Sequence, residues 1–419
     1  MTEAQSVLPE ILHGPKGLEG AVLSSALEDA ARESKLSREP DLIPADGLVI
    51  FDPERERRRN TITRRLDVNM GFACNERCSF CYYLEDIVRG TTGDADTEEV
   101  KRRLRVGRKW GKVRVDLTGG EPTIRKDLEE IVAYAREIGY REICIITNCV
   151  RIGRQKGYLA RLVEAGLNDI LMSLHGATAE THDGLTKLKG SFEAVLKAAE
   201  LAWEFPPLRR RFNFVVCQEN YDECEAAADL MASHAPFAIN FILFHPTRDA
   251  KRADEKIKFR NYEEAVAPVR RAIEKHRHAV PHLNVRDLPY CLLKGLERHV
   301  KPLYQLQYET AEWDYCLDVL FKRKRGFYLA GLALGAILSL GNPHFWRAGL
   351  EEKKHIAIQR ARIRQMRQKG PQCRACALNH ICDGLDREYV ERYGTAELVP
   401  YRGPRITNPT YFMPRDEIE

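Results

Sequence analysis

Cys74-Asn-Glu-Arg-Cys78-Ser-Phe-Cys81 places three thiols within eight residues, with three and then two residues between them. It follows a strand-like run, Arg65-Leu-Asp-Val-Asn-Met-Gly71, so the cysteines fall where the chain leaves a sheet and enters a loop. Such a loop can wrap three thiolates around one object. Thiolates suit soft metal centres, and an iron–sulfur cube held by three cysteines keeps one iron without a protein ligand. Structural zinc also takes thiolates but wants a closed set of four, and no fourth ligand stands nearby in sequence.

Outward from this loop, apolar and β-branched runs alternate with helical patterns, which calls for a parallel sheet. Strands are expected at 66–71, 113–117, 142–147, 169–174, 212–217 and 239–244, with helices at 97–110, 127–137, 157–165, 191–203 and 221–234. Six units are fewer than the eight of a closed barrel. The expected fold is therefore α/β, a partial (β/α)6 TIM-like barrel, with residues from 247 onward not continuing the repeat.

Active groups in such barrels come from the carboxyl ends of strands. The second strand ends in Thr118-Gly119-Gly120-Glu121-Pro122. Its glycines let backbone approach closely, the glutamate is an acceptor and the proline sets the turn. The third strand ends in Asn148, which can face substrate or close a turn. The fourth ends in Ser173-Leu174-His175, and the sixth in His245. Each histidine can act as a general base or hydrogen-bond locally. On the fifth, Asn213 alternates with Phe212 and Phe214, so it faces the opposite side. Cys144, Cys149, Cys217 and Cys224 lack ligand spacing and read as buried packing residues.

The triplet Cys74/Cys78/Cys81, with Phe80 before its last cysteine, resembles the signature loop of the radical S-adenosylmethionine (radical SAM) superfamily. The Gly119-Gly120-Glu121-Pro122 turn, one strand and one helix later, resembles that family's second motif. The resemblance implies a [4Fe-4S] cluster whose open iron is chelated by SAM, with the turn holding the amino group of SAM's methionine. Phe80, Ser173 and Asn213 become cofactor contacts, and His175, Asn148 and His245 candidates for catalysis. SAM is then cleaved reductively to a 5′-deoxyadenosyl radical that takes hydrogen from substrate. A reducing partner such as flavodoxin or ferredoxin is implied.

A second group of thiols, Cys373-x2-Cys376-x5-Cys382, resembles the SPASM and Twitch extensions found after many such barrels. The pattern is incomplete: Asp386 stands at one expected cysteine, Ala311 at an expected glycine, and no cysteine follows Cys382. With Cys291 and Cys316 the only other candidates, the arithmetic favours one auxiliary [4Fe-4S] cluster, its fourth ligand Cys291 or Cys316. A zinc site is the alternative. The expected division is an extension at 1–60, the barrel at 61–250 and an auxiliary-cluster extension at 251–419.

Composition narrows the rest. Hydrophobic residues make up 44%, charged residues 30%, and the net charge is +5, too slight to call for nucleic acid. Twelve cysteines grouped by spacing point to metal ligation in a reducing compartment rather than to disulfides, and no secretory signal is visible, so a cytoplasmic location is expected. A helix is expected at 18–35. The apolar stretch 329–340 is too short to span a bilayer; it reads as a tightly packed helix, with a membrane-facing surface as the alternative. The expected activity is on a small molecule, by oxidation, epimerisation or rearrangement. The alternatives are modification of a ribosomal peptide or protein and a non-catalytic metal-binding protein.

Overall fold

The computed structural model describes residues 42–84, 88, 93–246, 255–306, 308 and 325–414. The helix expected at 18–35 and Cys316 lie outside these residues.

All six expected strands form and pair in parallel in sequence order: β1 (Arg65–Asn69), β2 (Arg114–Thr118), β3 (Glu142–Thr147), β4 (Asp169–Ser173), β5 (Arg209–Val216) and β6 (Ala238–Leu243). Helices intervene at α1 (Pro53–Arg57), α2 (Thr97–Lys109), α3 (Leu128–Glu137), α4 (Val150–Arg154), α5 (Tyr158–Ala165), α6 (Ala179–Thr186), α7 (Ser191–Ala202), α8 (Cys224–Ala232) and α9 (Tyr262–His276), α1 preceding the sheet. Helix α2 shows why they dock: Asp96 caps its first turn through the Glu99 N–H at 2.7 Å, and Val100 and Leu104 recur at one-turn spacing and are fully buried.

The sheet then continues beyond the expected six strands. β7 (His282–Arg286) pairs with β6, and the two-residue β8 (Val300–Lys301) pairs with β7, both parallel. The expectation that nothing after residue 247 continues the repeat is corrected here. Like β1 and β2, β7 alternates polar with apolar residues, but no cysteine loop or glycine turn follows it to mark it as a strand. Among the described residues β1 and β8 are the sheet's edges and do not pair, so the architecture is an open, partial barrel.

Two polar layers cross the barrel interior. Near the amino ends of the strands, Arg65 reaches Asp116 at 2.6 Å and Glu142 at 3.0 Å, while Arg211 reaches Asp169 at 2.9 Å and Asp116 at 3.6 Å. Arg211 also donates to Cys144 Sγ at 3.1 Å. Arg65, Asp116, Asp169 and Arg211 are all buried. Higher up, the register places Asn213, Asn240 and Asn284 side by side on β5, β6 and β7. The Asn284 amide donates to Asn240 Oδ1 and the Asn240 amide to Asn213 Oδ1, each at 3.0 Å.

After the sheet come α10 (Arg325–Ser339), α11 (Pro343–Arg347), α12 (Leu350–Met366), the antiparallel pair β9 (Arg367–Gln368) and β10 (Leu385–Asp386), and α13 (Arg387–Tyr393). The apolar stretch belongs to α10 and packs on α12. A Cβ at Gly335 would come within 1.7 Å of the Ala357 carbonyl oxygen, so the two backbones meet where only hydrogen fits. No helix among the described residues is long and apolar enough to cross a membrane. Asp386, the departure from the four-cysteine pattern, caps α13 through the Tyr389 N–H at 3.1 Å.

Candidate active site

The cysteine loop is stitched onto the Gly-Gly-Glu-Pro turn before any side chain is considered. Gly120 N–H donates to Gly71 O at 2.9 Å and Glu121 N–H to Ala73 O at 2.8 Å. On the other side, Asp94 Oδ1 accepts from the Phe72 and Ala73 N–H groups at 2.9 and 3.0 Å. A Cβ at Gly120 would stand 2.1 Å from Ala73 O, so the close approach that the glycines permit is that of the loop's own backbone. We expect Gly120→Ala to displace the cysteine loop, because the colliding atom is backbone and cannot swing aside. Iron content after anaerobic reconstitution should fall well below wild type, while the circular dichroism spectrum is retained.

Cys74, Cys78 and Cys81 line a cavity of about 460 Å³ together with Gly119, Gly120 and Glu121. That volume is within the roughly 300–1,000 Å³ common for small-molecule sites. Glu76 sits inside the loop: its N–H donates to Cys74 Sγ at 3.4 Å, and its Oε2 accepts from the Cys78 thiol at 3.3 Å. Burial pushes the Cys74 thiol up to about 12 and the Glu76 carboxyl up to about 8. Burial and the neighbouring Glu76 also raise Cys78. Bare thiolates are therefore disfavoured here, a cost that ligation of a metal would offset because metal binding takes the deprotonated form.

Glu121 does not offer its carboxylate as a free acceptor. Oε1 accepts from Thr123 N–H at 2.9 Å and from the Thr123 and Thr147 hydroxyls at 2.5 and 2.6 Å, while Oε2 accepts from Asn148 N–H at 2.7 Å. It staples the turn to the end of β3. Pro122 opens the short 3₁₀ turn Pro122–Ile124 beneath the cavity and is not among its lining residues. Asn148 lines the cavity and ties the cysteine loop down, donating to Asn75 Oδ1 at 2.8 Å, while its own Oδ1 accepts from Val150 N–H at 3.1 Å. The next residue, Cys149, is left-handed at φ 65.

Phe80, Ser173, His175, Asn213 and His245 also line the cavity. Phe80 meets the His175 ring edge-to-face at 4.6 Å between centroids. His175 Nδ1 accepts from Val215 N–H at 3.1 Å, which places the ring proton on Nε2, and burial holds its pKa well below the ordinary value. A neutral imidazole in that tautomer is a donor at Nε2, so of the two readings open for His175 the general-base one does not suit this geometry. Asn213 Oδ1 is taken by Asn240, which leaves the Asn213 amide N–H groups as its donors toward the cavity. His245 is oriented differently. Its Nε2 stands 3.4 Å from Asp287 Oδ1, and its Nδ1 has no hydrogen-bond partner among the described residues.

Sequence reasoning missed Tyr82, Arg286, Asp287, Arg362, Gln365 and Met366, all on the cavity wall. Arg286 and Asp287 end β7, so the strand-end rule would have reached them had that strand been recognised.

The second thiol group also assembles. Cys291, from the β7–β8 connection, lines one small cavity with Cys373, Cys376 and Cys382. Tyr401 N–H donates to Cys376 Sγ at 3.3 Å, and half-buried Lys369, bonded to Asn379 O at 2.6 Å, lines the same cavity. Burial raises Cys291 to about 12 and Cys382 to about 11. Among the described residues no three His, Cys, Asp or Glu side chains converge closely enough to hold a single metal ion.

Comparison with known proteins gives four findings. Residues 68–231 match the model of the Radical SAM superfamily. A probable GTP 3′,8-cyclase of Saccharolobus solfataricus is 30% identical over 226 residues, 52% of this chain and 70% of that protein. An Fe-coproporphyrin III synthase of Methanosarcina barkeri is 30% identical over 238 residues, 55% of this chain and 58% of that protein. Among solved structures, Streptococcus suis SuiB bound to the precursor peptide SuiA aligns with a TM-score of 0.45 at 16% identity, covering 63% of this chain and 61% of SuiB. The family match spans the strands that carry both the cysteine loop and the Gly-Gly-Glu-Pro turn, and a relative at 30% identity is matched over 70% of its length: the chain belongs to the radical SAM superfamily.

Proposed function

We propose that this enzyme holds a [4Fe-4S] cluster on Cys74, Cys78 and Cys81, binds SAM against the Gly119–Glu121 turn, and abstracts hydrogen from a small molecule in the same cavity. The observation that carries the reading is that three thiols, the glycine turn and the strand-end polar residues share one cavity. When bound, cluster and SAM supply the reductive cleavage that yields the 5′-deoxyadenosyl radical, with an electron donor such as flavodoxin or ferredoxin. The protein's own part is placement. Asp94 and the turn's backbone fix the loop, Asn148 ties it to β3, and Phe80, Ser173 and Asn213 contact the cofactor. The names of the two curated relatives denote small-molecule chemistry, which supports that class of substrate over a peptide.

Cys291, Cys373, Cys376 and Cys382 are proposed to hold one auxiliary [4Fe-4S] cluster. Four thiols line one cavity, the number that an all-cysteine cube takes. The test is iron and sulfide content with electron paramagnetic resonance on anaerobically reconstituted protein, with and without SAM. Two distinguishable clusters, one perturbed by SAM, are expected, and Cys291→Ala should remove only the unperturbed one. A single SAM-sensitive signal in wild type would make the second site a zinc site or spare thiols, and no cluster at all would sink the whole proposal.

A further inference from the structure

We infer that His182 is a positioning residue for the cysteine loop: its ring ties α6 to the end of β4, and the end of α6 holds the backbone on both sides of Cys78. The inference rests on the proposed cluster at that loop and deepens it.

The backbone is the first ground. Besides its bonds to the glycine turn and to Asp94, the loop leans on the last residues of α6. Arg77 N–H donates to Thr186 O at 3.0 Å, and Ser79 N–H donates to Leu185 O at 2.9 Å. Arg77 and Ser79 are the two neighbours of Cys78, so a shift of α6 carries that thiol with it. Asp183 moors the helix to the start of α7. It accepts from the Gly190 N–H at 2.6 Å and from the Ser191 and Phe192 N–H groups at 3.1 and 2.9 Å.

The ring of His182 is the second and independent ground. It is 1% exposed, and its Nδ1 accepts from His175 N–H at 3.0 Å. Burial lowers its pKa to about 4, so near neutrality the ring is uncharged and its proton lies on Nε2. Nε2 has no partner among the described residues. Buried donors are normally satisfied, and an apolar ring would fill the space without leaving one unmet. What the imidazole adds is therefore the bond at Nδ1. That bond fixes His175, whose ring stacks on His182 at 5.9 Å and meets Phe80, the neighbour of Cys81, at 4.6 Å. Cys78 is thus braced from α6 and the approach to Cys81 from β4, and His182 locks the two braces to each other.

The measurement is the rate at which the chelator bathophenanthroline strips iron from anaerobically reconstituted full-length protein. Decay of the SAM-perturbed paramagnetic signal assigns the loss to this cluster. His182→Phe keeps a ring of similar size without an acceptor and should lose that signal at least about tenfold faster, as removal of a partner behind a metal ligand does. His182→Asn should recover most of the difference, because its Oδ1 stands where Nδ1 does. His182→Gln, which reaches the Nε2 position instead, should not. If His182→Phe fails to fold, Asp183→Asn loosens the same helix at its other mooring and should also speed the loss. His182→Phe or Asp183→Asn indistinguishable from wild type, or His182→Asn as labile as His182→Phe, would overturn the inference. A wild type without a SAM-perturbed signal would instead remove the proposed function, and this inference with it.

Discussion

Cys78→Ala should abolish SAM cleavage while leaving the protein folded. The side chain is small and lies in a loop whose course is set by backbone bonds from Gly71 and Ala73 and by Asp94, none of which involves the thiol. What is lost is one of three ligands. Removing an outer-shell partner of a metal site already costs about 10–100-fold, and a ligand in a three-cysteine set has no substitute nearby. Methionine release with dithionite as reductant should fall to background, and the SAM-sensitive paramagnetic signal should vanish. The auxiliary signal should survive, because its four thiols come from a different part of the chain. Full cleavage in this variant would refute the assignment of the loop.

Arg211→Met should have the largest effect on stability. Arg211 is completely buried between Asp169 and Asp116, and methionine fills its volume but cannot answer either carboxylate. Breaking a buried ion pair from one side costs about 3–5 kcal/mol because the remaining charge is stranded. Here Asp116 retains Arg65 at 2.6 Å and Asp169 retains only the longer contact with Arg209 at 3.6 Å, so the group left worse served is Asp169. Pairing the change with Asp169→Leu should recover much of the loss, since removing both charges leaves neither unanswered. The thermal midpoints of the two variants report this directly. Equal destabilisation would mean that the loss comes from packing rather than from charge.

The parts of the fold that were legible in sequence are those whose side chains answer to a local period. β3, β4 and β6 carry apolar runs, while β1 and β2 alternate polar with apolar residues and are marked by the cysteine loop and the Gly-Gly-Glu-Pro turn that follow them. β7 alternates in the same way, His282, Asn284 and Arg286 with Leu283 and Val285, but no such motif follows it. Asn284 donates to Asn240, 44 residues away in sequence and adjacent only in register. The same limit applies at the site. Glu121 could be recognised from its neighbours, but its role could not, because Thr147 and Asn148 reach it only once β2 and β3 are paired. Cys291 and Cys316 were equivalent by spacing. Only the path of the β7–β8 connection sets Cys291 beside the later triplet, while Cys316 lies outside the described residues.

The asparagine row on β5, β6 and β7 has a directional consequence. Each amide lends its nitrogen to the oxygen of the one before, from Asn284 through Asn240 to Asn213. A side-chain amide has two unlike ends, and turning one over sets like against like at its neighbour. The three therefore hold a common sense, like arrows laid head to tail. Which end of Asn213 faces the cavity is written two strands away, by a residue that never meets the ligand.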